Sequence, residues 1–300
     1  MRGLGSKSSA ATRRVRQGFS LIELLVALAI LATLLGLLLP AVQRVRHAAA
    51  RITCAAKLGQ IGLAASNYHT TFGAFPPGVS TDPGRRHLTW NAHLLPYLDN
   101  EPLWREVEAA FERDPNFLRP PHDKRRATPV PAFACPMDGR AMMPSTKLGD
   151  LRVAFTSYVG VAGTTCQRGD GVYFVGSGIR QTDVTDGASN TVAIGERPPS
   201  ADESLGWWYA GWGRDGYGSV ETVLGSRQLN PWDAPCFAGP YRFGAGRFDN
   251  QCDVYHFWSP HPGGANFVFV DGSCRFIAYS AHVLLTAMST RAGAEGDSPP

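Results

Sequence analysis

The stretch Gly18-Phe19-Ser20-Leu21-Ile22-Glu23-Leu24-Leu25-Val26 decides how the rest of the chain is read. Before it, residues 1–18 are polar and basic. After it, no charge occurs from Leu24 to Gln43, a run of 20 residues. At about 1.5 Å per residue a helix of that length reaches about 30 Å, the hydrocarbon thickness of a bilayer. A membrane-spanning segment over about residues 21–42 is therefore expected. Arg2, Lys7, Arg13, Arg14 and Arg16 all precede the first acidic residue, Glu23. That excess predicts a cytoplasmic N-terminus, with the remainder of the chain across the membrane. The run exceeds the roughly 7–15-residue apolar core of a secretory signal. Glu23 is the odd residue in it: a lone ionisable group at membrane depth costs about 2–3 kcal/mol, which marks it as a functional candidate.

Those five leader cations also explain the charge balance. The chain carries a formal net charge of +4, so everything from residue 19 onward sums to −1. A near-neutral body lacks the basic excess of a nucleic-acid binder, and no nucleic-acid partner is expected. Charged residues are 18% of the chain, below the roughly 25% usual for soluble domains. With 33 glycines and 22 prolines, the body should be rich in turns and lean towards β-structure.

Beyond Pro40 the pattern becomes amphipathic. Val45, Ala48, Ile52, Ala55, Leu58, Ile61 and Ala65 recur at spacings of three and four, while Arg44, Arg46, Arg51 and Lys57 fall off that stripe. The spacing predicts one helix over residues 19–72, with Pro40 as its candidate bend. Gly73 and Pro76-Pro77 stop it, and its second half is expected to pack on a globular head. In that head, residues 73–288, the candidate strands are 154–161, 171–175, 191–196, 206–212, 265–270 and 273–279. Asp271-Gly272, set between two apolar runs, signals a hairpin. Residues 101–113 read as a helix with Pro102 in its first turn. The proline-rich stretch 114–134, with Lys124-Arg125-Arg126, reads as a solvated loop, and residues 289–300 as a flexible tail.

The stretch quoted first resembles the cleavage and methylation signal of type IV prepilins and type II secretion pseudopilins. That resemblance implies cutting after Gly18 by prepilin peptidase and N-methylation of Phe19. It also implies that Glu23 pairs with the terminal amine of a neighbouring subunit, and it places Pro40 where many pilins carry a proline. A second resemblance runs along most of residues 19–280. Arg51-x-x-Cys54-x-x-x-Leu58-x-Gln60-Ile61-Gly62, Asn67-Tyr68-His69, Phe75-Pro76-Pro77-Gly78, Leu95-Pro96-Tyr97-Leu98, Cys135-Pro136, Ser157-Tyr158-Val159-Gly160, Asp183-Val184-Thr185-Asp186-Gly187 and Gly195-Glu196 follow in order. The series closes on His261, nine residues, then Asp271-Gly272, an H-x9-DG box. This order is similar to the prepilin-like family called domain of unknown function 1559. Where that family usually has two asparagines and a lysine after the cysteine, this chain has Ala56, Lys57 and Gly59. The implied architecture is α+β and pilin-like: one long N-terminal helix, membrane-spanning in its first half, packed on a β-rich head.

The head carries no G-x-S-x-G elbow, P-loop, G-x-G-x-x-G turn or H-E-x-x-H helix, so no enzyme is expected. Cys252-x3-His256-x4-His261 has zinc-binding residue types without a fourth ligand, and no metal is assigned. Asp183, Asp186 and Asn190 form a calcium candidate whose spacing differs from an EF-hand. Cys54, Cys135, Cys166, Cys236, Cys252 and Cys274 lie on the oxidising side of the membrane in this reading. One to three disulfides are expected among 15 full pairings, with Cys54 tying helix to head. Trp207, Trp208, Tyr209 and Trp212 could form an aromatic binding face, though core packing also explains such a cluster. The function expected is a pilin or pseudopilin-like structural subunit of a cell-envelope filament or type II secretion-like system. It would sit in the bacterial inner membrane with its head outside, and its partners would be prepilin peptidase, other pilin-like subunits and membrane lipid. The alternative is a membrane-anchored extracytoplasmic protein that binds glycan or peptide and uses the signal only for export.

Overall fold

The computed structural model describes residues 21–145, 147–211, 213, 220–230 and 235–293. Gly18, Phe19 and Trp212 lie outside them. One helix, α1 (Leu21–Phe72), runs through Pro40 without interruption. It ends where Gly73 takes φ +77° and its N–H donates to the His69 carbonyl at 2.7 Å. Glycine reaches that left-handed conformation without a Cβ clash, which is why the helix stops there.

The chain divides into two compact units, one ending at Arg46 and the other beginning at His47. In the first, the described residues are all helical and all exposed, with Leu24, Leu28, Leu31, Leu35 and Leu38 each more than half exposed. This part contains a stretch long and apolar enough to cross a membrane, none of it buried.

In the second unit α1 buries Cys54, Leu58, Ile61, Gly62, Ala64 and Ala65. The expected stripe is right at Leu58, Ile61 and Ala65 but wrong earlier, because Val45, Ala48 and Ile52 are exposed. Full burial starts only at Cys54, so amphipathic spacing continued past the surface that uses it. The helix backbone comes close to the sheet at Gly62. A Cβ there would lie 2.8 Å from Val268 Cγ1 and 3.3 Å from the Gly272 carbonyl.

The sheet is built from β1 (Tyr158–Gly163), β2 (Val192–Glu196), β3 (Val223–Gly225), β6 (Gly264–Phe269) and β7 (Cys274–Ala278), in the order β3-β1-β2-β6-β7. All neighbours are antiparallel except β1 and β3. A separate ribbon pairs β4 (Arg227–Gln228) with β5 (Tyr241–Arg242). Every residue of β1, β2 and β6 is buried, so these strands do not alternate; they are apolar or small throughout except at Glu196 and Asn266, which bond to each other. The β6–β7 turn is the expected hairpin: Gly272 has φ +82°, and Asp271 Oδ1 accepts from the Ser273 N–H at 2.9 Å.

Two expected strands are absent. Among the described residues of 171–175 and 206–211, the pairings are isolated bridges, Val79 with Val175, Phe155 with Trp207 and Leu88 with Ala210. At Gly171 the backbones of Ala162 and Gly163 occupy the space a Cβ would fill, and the N–H groups of Gly171 and Val172 donate to the carbonyls of Ala162 and Val161, so the chain lies close against the end of β1 without forming a ladder. A short helix, α2 (Trp90–His93), buries Trp90. The helix α3 (Glu101–Arg113) has the expected bounds and buries Val107, Ala110 and Phe111.

The loop after α3 is not simply solvated, for it holds α4 (Asp123–Arg126), where Arg126 is buried. The Arg126 guanidinium donates to the carbonyls of Phe117 at 2.6 Å and Arg152 at 3.1 Å, and to Asp123 at 2.7 Å. A fork of five fixed donors can knot a proline-rich loop that has few backbone donors of its own. The tail expected to fray from 289 is held as far as Gly293. It follows α5 (His282–Met288); Arg291 Nη1 donates to the carbonyls of Gly169 and Gly171, and the Gly293 N–H donates to Asp186.

Candidate functional site

Cys54 sits where α1 first becomes fully buried, and it forms a disulfide with Cys135, the two Cα atoms 5.5 Å apart. Cys135 follows a 3-10 turn at Pro131–Phe133, and its N–H donates to Ser157 Oγ at 3.0 Å. One turn further along α1, Lys57 Nζ donates to the carbonyls of Pro131 and Ala134, both at 2.8 Å. Burial lowers its pKa. Lys57 itself makes a contact between α1 and the head. A disulfide, a charge-assisted pair of hydrogen bonds and the Leu58 and Ile61 side chains thus fasten the second half of α1.

Two ionisable groups flank the disulfide. Glu196 ends β2, in register with Tyr158. Its carboxylate accepts from the Asn266 N–H at 2.7 Å and from Asn266 Nδ2 at 3.2 Å. The preceding residue must be small, since a Cβ on Gly195 would lie 2.5 Å from Phe267 Cε1. His261 is set by a serine turn: its N–H donates to Ser259 Oγ, which in turn donates to the Gly264 carbonyl. Its Nε2 lies 3.4 Å from Glu196 Oε1 and 3.6 Å from Cys135 Sγ, and its Nδ1 has no partner among the described residues.

All four residues are buried, and one donor atom from each lies within 4.8 Å of the others. Burial first, and then the Glu196 charge, pushes the Cys274 thiol up to about 11 and raises Tyr158. Two sulfurs, an imidazole nitrogen and a carboxylate oxygen at one dry point can exchange protons, undergo thiol–disulfide chemistry or hold a soft or borderline cation.

The other candidates are dispersed. Cys252 is bonded to Cys236, and His256 pairs with Asp253 at 3.1 Å, so the trio Cys252, His256 and His261 does not converge. Its signal was short spacing, and the fold turns each member to a different partner. Cys166 and Cys274 remain thiols. In the proposed calcium loop, Asp183 caps the Arg180 N–H, Asp186 accepts from Gly293, and Asn190 turns its amide nitrogen to the Asp186 carbonyl. These groups serve turns. The H-x9-DG box is split across the length of β6: His261 joins the cysteine cluster, while Asp271 and Gly272 form the hairpin against α1. Trp207, Trp208 and Tyr209 are core residues, and Trp208 and Tyr209 are fully buried. They present no face to a ligand.

All four cluster residues stand in stretches that sequence reading had already singled out, but as separate marks; Cys54 and Cys135 alone are 81 positions apart. Each lies in a different stretch of the chain, and no local pattern shows that those stretches meet.

A family model described as Protein of unknown function (DUF1559) matches residues 43–283. A Prokaryotic N-terminal methylation motif matches residues 13–39. No curated protein and no solved structure gives a significant match.

Proposed function

The chain belongs to the family described as Protein of unknown function (DUF1559), and from that membership together with its methylation motif we propose that it is a structural subunit of a pilin-like assembly. The motif supports a type IV pilin-like chain processed by prepilin peptidase. In the finer reading, cleavage follows Gly18 and Phe19 is N-methylated. Mature chains then pass from the inner membrane into a filament or pseudopilus of the envelope, heads outside, together with other pilin-like subunits.

One observation carries this reading: every side chain from Leu21 to Val42 is exposed, although the segment is almost wholly apolar. An apolar face of that size must be covered from outside the chain. Lipid covers it before assembly and neighbouring helices afterwards, with van der Waals packing and polar pairs favouring the exchange. Glu23, near the start of α1, answers the terminal amine of a neighbour, which offsets the cost of a carboxylate at membrane depth. The rival binding-protein reading drew on an aromatic face, and the described members of that cluster are buried.

The test is Glu23→Val. Processing at Gly18 should persist while co-assembly, read by cross-linking between chains in the membrane, is lost. Normal assembly of that variant would overturn the proposal.

A further inference from the structure

A disulfide requires no company. The Cys54–Cys135 bond is neutral, yet a carboxylate and an imidazole are buried against it. A buried carboxylate is costly to withdraw from water unless a positive charge or hydrogen-bond donors answer it, and a buried imidazole unless its ring nitrogens find partners. Among the described residues, the hydrogen-bond and ion-pair partners of the Glu196 carboxylate are Asn266 and His261, with no lysine or arginine.

The donor spacing supplies the second observation. With metal–sulfur distances of about 2.3 Å and metal–nitrogen or metal–oxygen distances of about 2.0–2.1 Å, tetrahedral angles set sulfur and nitrogen about 3.6 Å apart, and nitrogen and oxygen about 3.3 Å apart. In the protein Cys135 Sγ and His261 Nε2 are 3.6 Å apart, and His261 Nε2 and Glu196 Oε1 are 3.4 Å apart. The Nε2 atom of His261 is the ring nitrogen that faces both Cys135 Sγ and Glu196 Oε1, which is the orientation a ligand would need. Two thiolates, one imidazole and one carboxylate form a set suited to zinc and unsuited to calcium or magnesium.

We propose that the dithiol form of this protein binds one Zn²⁺ through Cys54 Sγ, Cys135 Sγ, His261 Nε2 and a Glu196 oxygen, and that the disulfide is the metal-free form of the same site. The forms interconvert by thiol–disulfide exchange with an external dithiol. That dithiol delivers two electrons to the Cys54–Cys135 bond and becomes a disulfide. Its two protons pass to solvent as the protein thiolates take up Zn²⁺. A disulfide oxidant reverses each step and expels the ion. Helix α1 stays tied to the head in both forms, through S–S in one and S–Zn–S in the other. The inference is independent of whether the chain assembles.

The test uses full-length protein in detergent micelles. One portion is reduced with a phosphine under argon and one is left oxidised, and each is loaded with Zn²⁺ or Co²⁺ and desalted. The reduced protein should retain one zinc per chain and the oxidised protein none. The cobalt form should show intense ligand-field absorption of a tetrahedral ion with thiolate-to-cobalt charge transfer. Cys236→Ser combined with Cys252→Ser should keep this stoichiometry. His261→Ala and Glu196→Gln should each weaken zinc binding by at least about 100-fold, the upper end of what loss of an outer-shell partner costs. Reduced wild-type protein that retains no zinc would overturn the proposal, as would equal retention by the oxidised protein or by the His261→Ala protein. The reduced-against-oxidised comparison needs no variant, so it stands even where a substitution prevents folding.

Discussion

The two halves of α1 are one continuous helix with opposite relations to their surroundings. From Leu21 to Arg46 every residue is exposed; from Cys54 to Ala65 a face is fully buried in the head. The first half is almost wholly apolar, whereas the second interleaves Arg51, Lys57 and Gln60 with a small-residue and apolar face, so the halves differ in composition as well as in partner. The second half finds its partner within the chain, in β6, the Asp271-Gly272 turn and the Cys135 loop. The first half must find one elsewhere, which is the physical content of calling the chain pilin-like.

The same substitution in each half should break the symmetry most strongly. Leu58→Ala removes a fully buried side chain and should lower head stability by about 2–5 kcal/mol. Leu31→Ala, 55% exposed before substitution, should leave the melting temperature of the head unchanged. Equal melting shifts in the two variants would erase the distinction.

A pH series probes the second half's surroundings alone. Burial holds the Glu221 carboxyl up at about 7 against an ordinary 4.5. The folded head thus carries an extra proton between those values, and this contribution is full below pH 4.5 and lost as pH rises through about 7. Burial pushes His93 down to about 4 from 6.5, so its contribution is full above 6.5 and lost as pH falls through about 4. The two slopes oppose each other. Glu221→Gln should remove a falling contribution on the order of 3 kcal/mol and leave stability climbing more steeply from pH 4.5 to 7 in a denaturant series. An unchanged slope would contradict the assignment.

The glycines of α1 give a finer contrast. Gly62→Ala drives a methyl into Val268 and should cost about 1–3 kcal/mol. Gly59→Ala meets nothing within 4 Å and should stabilise the helix by up to about 1 kcal/mol. A destabilised Gly59→Ala protein in thermal unfolding would mean that face is covered after all.

Sequence made the long elements legible because their signals are local. The uncharged run from Leu24 to Gln43, the Gly73 stop, the α3 bounds and the Asp271-Gly272 hairpin all follow from neighbours in the chain. The burial of Cys54 in place of Ile52 did not follow, because the contact surface is made by β6 and the Cys135 loop, far away in sequence. Residues 206–211 misled for a related reason: Trp207, Trp208 and Tyr209 have strand-forming side chains, but the chain there serves the core without forming a ladder of the sheet. The cysteine, glutamate and histidine cluster needed four separate elements to meet. Its members were visible, and their meeting was not.

The central claim is that the chain is a processed, membrane-anchored pilin-like protein, and the intact mass of the membrane-extracted protein tests it most directly. The account predicts a chain that begins at N-methylated Phe19. A chain that begins at Met1, or one trimmed near Ala50 so that the apolar half of α1 is missing, would contradict it.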